Sequence, residues 1–163
     1  MQLAEIQRRW PNHEAALRHL EHVRWGGSPT CPYCASGNVG LHASKDKTSP
    51  RWQCRDCHRT FSATVGTVFH QTHLPMNKWL LAVALMLHDA AVSAAEIGRV
   101  LGVPYKTAWS IAQRIRTTLN ADRSQADLFA RLVDATNVGA PLAFAESSPV
   151  GVRRRRAPNG ARP

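Results

Sequence analysis

Four cysteines occur in this chain, in two matching pairs: Cys31-Pro32-Tyr33-Cys34 and Cys54-Arg55-Asp56-Cys57, with nineteen residues between them. The two-residue spacing lets both sulfurs of one tight turn reach the same ion. Two such turns supply the four thiolates of a tetrahedral zinc site with Zn–S bonds of about 2.3 Å. A four-sulfur shell has no open position for substrate or water, so the zinc it implies is structural. His58 directly follows Cys57 and reads as a surface residue, because four sulfurs already complete the shell. Two disulfides are the alternative. The sequence shows no N-terminal apolar stretch that would mark export to an oxidising compartment. A redox pair of the thioredoxin kind would need a βαβ pattern around the motif, and neither pair has one.

The segments around the cysteines must place those sulfurs. Residues 1–25 read as helical, with Asn12 as an N-cap, Glu14 in the first turn, and Ala16, Leu17, Leu20 and Val23 at helical spacing. Gly26, Gly27, Ser28 and Pro29 end that helix. A polar loop from Gly37 to Pro50, with Lys45 and Lys47, separates the cysteine turns. Trp52 enters the second turn and Phe61 leaves it, and their rings are expected to cover the sulfurs. The Thr- and Val-rich stretch from Ser62 to His70 predicts another strand or an extended arm. A segment this small cannot build a core alone, so metal binding must supply much of its folding energy.

Lys and Arg outnumber Asp and Glu by 21 to 11, and the net charge is +10. Such an excess points to a polyanion, most simply nucleic acid. The apolar run from Trp79 to Leu87 is far too short to span a membrane and predicts a buried helix starting near Pro75. No basic amphipathic helix with a lipid-facing stripe stands out.

Ser93-Ala94-Ala95-Glu96 has the form of a capping box and opens a short helix ending near Leu101. Gly102-Val103-Pro104 then turns the chain into a longer helix from about Tyr105 to Leu119. Short helix, glycine turn and longer helix make a helix-turn-helix. Ile97, Val100, Leu101 and Val103 bury against the second helix, whose inward stripe is Ala108, Ile111, Ala112, Ile115 and Leu119. Its opposite face carries Lys106, Thr107, Ser110, Gln113, Arg114 and Thr117, side chains suited to phosphates and base edges in a major groove. Lys106, Gln113 and Arg114 are the leading candidates. Trp109 fits either the core or a sugar-phosphate contact, and a plain three-helix bundle with a solvated polar face is the bland alternative. Residues 120–145 read as less regular, and 146–163 as a disordered tail. Its run Arg153 to Arg156 would add nonspecific DNA contact or simply be solvated.

The order of these features resembles the N-terminal part of bacterial insertion-sequence transposases of the ISXO-like class. The stretches that carry the resemblance run from Glu14–Glu21 through Cys31–Cys34, Trp52–Cys57, Phe61-Ser62 and Thr64–His70. They continue with Thr72–Pro75, Lys78-Trp79, Gly98–Val103, Tyr105–Trp109 and Arg114–Arg116. In that family a zinc ribbon and a helix-turn-helix bind the element's ends, and an RNase-H-like domain with acidic metal ligands cuts the DNA. The resemblance implies that Leu132–Gly139 is a worn copy of the segment bearing the first catalytic Asp. Asp134 takes that position, and Ala135 replaces the acidic residue after it. Two-metal phosphoryl chemistry needs several carboxylates, so the expectation is a chain truncated before its catalytic domain and not an enzyme.

The expected fold is small α+β: a zinc ribbon of short strands joined to a helical helix-turn-helix bundle. The division is 1–25 helical, 26–72 zinc ribbon, 73–120 helix-turn-helix, 121–145 catalytic-domain remnant and 146–163 basic tail. The expected function is zinc-dependent binding of double-stranded DNA in the bacterial cytoplasm, at the nucleoid, as a truncated transposase or a regulator derived from one. The alternatives are a zinc-ribbon protein-interaction module or an accessory subunit beside a separate nuclease, with a homodimer or partner protein left open.

Overall fold

The computed structural model describes residues 3–43 and 49–134. Lys45, Lys47, the Arg153–Arg156 run and everything past Asp134 lie outside the described residues. The elements run α1 (Leu3–Arg9), α2 (His13–Trp25), β1 (Val39–Leu41), β2 (Trp52–Cys54), β3 (Thr60–Phe61), α3 (Met76–His88), α4 (Ala94–Leu101), α5 (Tyr105–Ala121) and α6 (Arg123–Val133). The molecule is α+β, with one small sheet carrying the cysteines and a helical bundle beside it.

The N-terminal helical stretch breaks in two at Trp10-Pro11-Asn12. Pro11 disfavours helical backbone at the residue before it. Asn12 restarts the helix, its side-chain oxygen accepting the Ala15 N–H at 2.8 Å. Gly26 ends α2 in the left-handed region, φ 58°, which glycine adopts without a Cβ penalty. Ala16, Leu17 and Leu20 are buried, as their spacing predicts.

The sheet is antiparallel in the order β1-β2-β3, with Gly40 opposite Gln53 and Trp52 opposite Phe61. Alternation along β2 turns Trp52 and Cys54 to the inner side, leaving Arg51, Gln53 and Arg55 exposed. A small cluster of Cys31, Cys54 and Phe61 forms the ribbon's interior. Trp25, at the end of α2, packs against both that cluster and the main core. Its ring meets Trp52 and Phe61 edge-on, with centroids 6.3 and 5.9 Å apart.

In the segment 62–75, the stretch Ser62 to His70 departs from the expectation of a strand or extended arm. No strand forms there; the chain makes consecutive turns. Its carbonyls go to side chains of three helices instead of to a neighbouring strand. Arg24 of α2 donates to Ala63 O and Val65 O, Gln125 of α6 donates to Gly66 O, and Arg114 of α5 donates to Val68 O. This strap ties the ribbon to the bundle. Thr and Val favour strands only where a pairing edge is available, and β3 ends at Phe61.

The second departure is α6, within the stretch expected to be less regular. Asp122 caps it by accepting the Gln125 N–H at 3.1 Å. Leu128, Phe129 and Leu132 are buried in the main core, and Phe129 lies 5.7 Å from Phe69. The last carbonyls of α6 accept hydrogen bonds from His19 (Leu132 O, 2.8 Å) and Arg9 (Val133 O, 3.4 Å), which complements the negative end of the helix dipole. Burial lowers the His19 pKa, against the opposing carbonyl bond.

Trp79, Leu80, Val83 and Ala84 of α3 are buried as predicted, but Leu87 is exposed. Ser93 caps α4 by accepting the Glu96 N–H at 3.1 Å, and Gly102 closes it at φ 60°. The turn brings α4 and α5 together at Gly98, where an added Cβ would stand 3.1 Å from Val103 O and 3.4 Å from the Ala108 Cβ. Among the described residues no helix is long and apolar enough to cross a membrane.

Candidate metal centre and nucleic-acid interface

The two cysteine turns are built alike. In the first, the Cys31 N–H donates to Ser36 O at 2.9 Å; in the second, the Cys54 N–H donates to Arg59 O at 3.0 Å. The residue after each second cysteine is left-handed, Ala35 at φ 57° and His58 at φ 60°. That reversal wraps each turn around its own sulfurs. A polar latch joins the turns. Asp56 accepts from Ser36 Oγ and, at 2.7 Å, from Asn38 Nδ2, and the Arg55 N–H donates to Asn38 O at 2.9 Å. These bonds hold the Asp56 carboxyl below its usual range, the Ser36 hydroxyl contributing most.

Across the turns, Cys31 Sγ lies 3.6 Å from Cys57 Sγ and Cys34 Sγ lies 3.6 Å from Cys54 Sγ. All four sulfurs fall within 4.8 Å of one another. A disulfide would need about 2.05 Å. A tetrahedron with metal–sulfur bonds of about 2.3 Å has edges of about 3.8 Å, so the arrangement fits one zinc ion. Cys31 and Cys54 are buried, Cys57 is half-buried and Cys34 is exposed. The Cys57 amide N–H, 3.5 Å from Cys54 Sγ, is the main reason that thiol is held down at about 7. At Cys34 the Ser36 amide pulls down, but desolvation and the neighbouring sulfurs outweigh it and push the thiol up to about 12. His58 is exposed and stands outside the sulfur cluster.

The second candidate surface is α5. Ala108, Ile111, Ala112 and Ile115 are buried, and Leu119 packs partly against the core. Lys106, Thr107, Ser110, Gln113, Arg114 and Thr117 are all exposed. Trp109 is 49% exposed and Tyr105 62%, so neither is a core residue. Arg114 differs from the others. Its guanidinium donates to Val68 O at 2.6 Å and His70 O at 3.3 Å, and lies 5.3 Å from the centre of the Trp79 ring. Sequence periodicity gives its face but not this engagement. It also misses Arg24, Glu21 and Trp25, which join the ribbon to α2. The adjoining Arg24-Trp25 before two glycines was the one signal available.

Comparison with known proteins agrees with the cysteine geometry. Residues 11–60 match the transposase zinc-ribbon domain. This stretch holds all four sulfurs together with α2 and most of the sheet. The chain is 33% identical over 108 residues to an uncharacterized protein in transposable element ISH50 of Halobacterium salinarum, covering 66% of this chain and 36% of that protein. It is 47% identical over 34 residues to the insertion element iso-IS1N protein InsA of Shigella dysenteriae, covering 21% and 38% respectively. The chain thus spans little more than a third of the length of these curated relatives. No solved structure matches it. The transposase zinc-ribbon domain accounts for the structural zinc and for the insertion-sequence resemblance. It stops before α3, so the helix-turn-helix lies beyond the matched segment.

Proposed function

We propose that this chain binds double-stranded DNA as the DNA-binding portion of an insertion-sequence transposase, or of a regulator derived from one, and does not itself cut DNA. The observation that carries this reading is α5. None of its seventeen residues is acidic, and Lys106, Thr107, Ser110 and Gln113 stand exposed on one side of it. A helix that follows a short capped helix and offers such a face fits a major groove. Gln113 is its base-reading candidate, with Lys106, Thr107 and Ser110 toward the phosphates. The zinc fixes the ribbon, and the net charge of +10 supplies long-range attraction. The site of action is then the bacterial nucleoid. Asp134 takes a position resembling a transposase catalytic carboxylate, but Ala135 stands where the resemblance calls for a second acidic residue, and two-metal chemistry needs several carboxylates.

The test is binding of zinc-loaded protein to duplexes selected from a random pool, across a salt series. Affinity falling steeply with salt supports the reading. Gln113→Ala should cost about 1–3 kcal/mol on the selected site and much less on unrelated duplex. Absence of duplex binding overturns it. Mg²⁺- or Mn²⁺-dependent nicking that disappears in Asp134→Ala would overturn the non-enzymatic part.

A second reading has one observation in its favour. Tyr105 and Trp109 lie one turn apart on α5, and both are exposed. Exposed aromatics are enriched at protein interfaces, so an accessory role beside a separate nuclease or another protein partner would use this edge. Salt-insensitive capture of one protein partner would favour it.

A further inference from the structure

A cleft of about 500 Å³ separates the strap from the first half of α5. Thr72 and His73 line one wall, Lys106, Thr107 and Ser110 line the other, and Ile111 contributes an apolar surface. Among the described residues no carboxylate lines it. The strap wall is held in place twice. Trp79 Nε1 donates to Thr72 Oγ1 at 3.2 Å, and the Leu74 N–H donates to the same oxygen at 3.1 Å. Those two bonds occupy both acceptor positions of the hydroxyl, leaving its proton as the free function. Arg114 then clamps the preceding carbonyls, Val68 O and His70 O, while stacking over Trp79.

We propose that this cleft seats a phosphodiester group of one DNA strand. His73 and the Thr72 hydroxyl approach from the strap, and Lys106 with the Thr107 and Ser110 hydroxyls from α5. Arg114 acts as a positioning residue that keeps the strap wall at its distance from the helix. The inference deepens the duplex-binding reading and rests on it. The chemistry is that of an anion site: the lining carries one ammonium, one guanidinium, one imidazole and three hydroxyls beside the apolar Leu74, Trp79 and Ile111, and no negative side chain competes. A phosphate here would fix the register of α5 against the duplex and carry no sequence information. Gln113 lies outside the cleft lining and would be left to face base edges. The strap therefore serves in recognition as well as in joining ribbon to bundle.

The experiment is fluorescence anisotropy of the zinc-loaded chain on a labelled duplex of unselected sequence, over a salt series. Helical circular dichroism and zinc content verify each variant's fold. Lys106→Ala is expected to flatten the slope of log affinity against log salt by about one. His73→Ala is expected to weaken binding by about threefold to tenfold, on selected and unselected duplex alike. In an Arg114→Ala background, His73→Ala should have no further effect, because the wall has already moved. Independent contacts would instead multiply. Arg114→Lys keeps the charge but cannot grip two carbonyls and stack at once, so it should behave like Arg114→Ala. If the parent binds duplex while Lys106→Ala keeps the parent slope and His73→Ala the parent affinity, the cleft is overturned and duplex binding stands. If the parent binds no duplex, both fall. Multiplying effects of Arg114→Ala and His73→Ala, or an Arg114→Lys that behaves like the parent, would overturn the bracing role.

Discussion

The Trp52 indole N–H donates to the Glu21 carboxylate at 2.9 Å, across thirty-one positions of chain. This bond joins the central strand of the ribbon to α2. The acceptor is in an unfavourable place for a charge. Burial raises the Glu21 pKa above its usual value, and the Trp52 bond and the Arg18 charge only partly oppose that.

That raised pKa has a definite sign in stability. Below the unfolded carboxyl range both states hold the proton and folding carries no penalty. As pH rises through the raised folded value, the unfolded chain releases its proton more readily, and stability is lost. Glu21→Gln keeps an oxygen acceptor for Trp52 without the charge. We expect its urea midpoint to exceed the parent's near neutral pH and the difference to vanish in acid. A difference independent of pH would assign the effect to something other than ionisation.

One zinc ion per chain should be found by elemental analysis of purified protein. Cys54→Ser removes a buried sulfur and should abolish stoichiometric zinc and open the ribbon, because metal binding there is folding energy. The ribbon interior and the bundle core are separate clusters, with Trp25 packed against both. Helical circular dichroism should therefore survive in large part while tryptophan fluorescence changes. Intact disulfides by mass, with little metal, would refute the zinc assignment.

Phe129 is fully buried against Phe69 and anchors α6. Phe129→Ala should cost about 3–5 kcal/mol in chemical unfolding of the bundle. A cost below about 1 kcal/mol would mean that α6 does not belong to the core.

Gly98 sits where α4 meets the turn into α5, and a methyl group on its Cα would stand 3.1 Å from Val103 O. A β-branched side chain there must push backbone apart. Gly98→Val should destabilise by about 1–3 kcal/mol, outweighing its gain in helix propensity. An unchanged unfolding midpoint would show that the α4–α5 crossing is looser than described.

The metal site and the helix-turn-helix were legible in the chain because their determinants are local. Two-residue spacing alone brings Cys31 to Cys34 and Cys54 to Cys57. Ser93, Gly102 and the stripe from Ala108 to Ile115 set their helices through capping, left-handed backbone and periodicity. The pairing of Cys31 with Cys57 and of Cys34 with Cys54 at 3.6 Å required the sheet to fold the two turns together. The strap was not legible, because β propensity in 62–70 says nothing about whether a pairing edge exists. Its carbonyls are claimed by Arg24, Arg114 and Gln125, each about forty to sixty positions away in sequence. Helix α6 was missed for a related reason. Its polar residues dilute the apolar pattern, and what secures it is burial of Leu128, Phe129 and Leu132 against helices formed much earlier in the chain. Sequence thus determined which residues could bind metal and which helix face is polar. Only tertiary packing decided that Arg114, while still exposed on α5, grips the strap, since hydrogen bonds to free carbonyls and stacking on Trp79 exist only once distant segments meet.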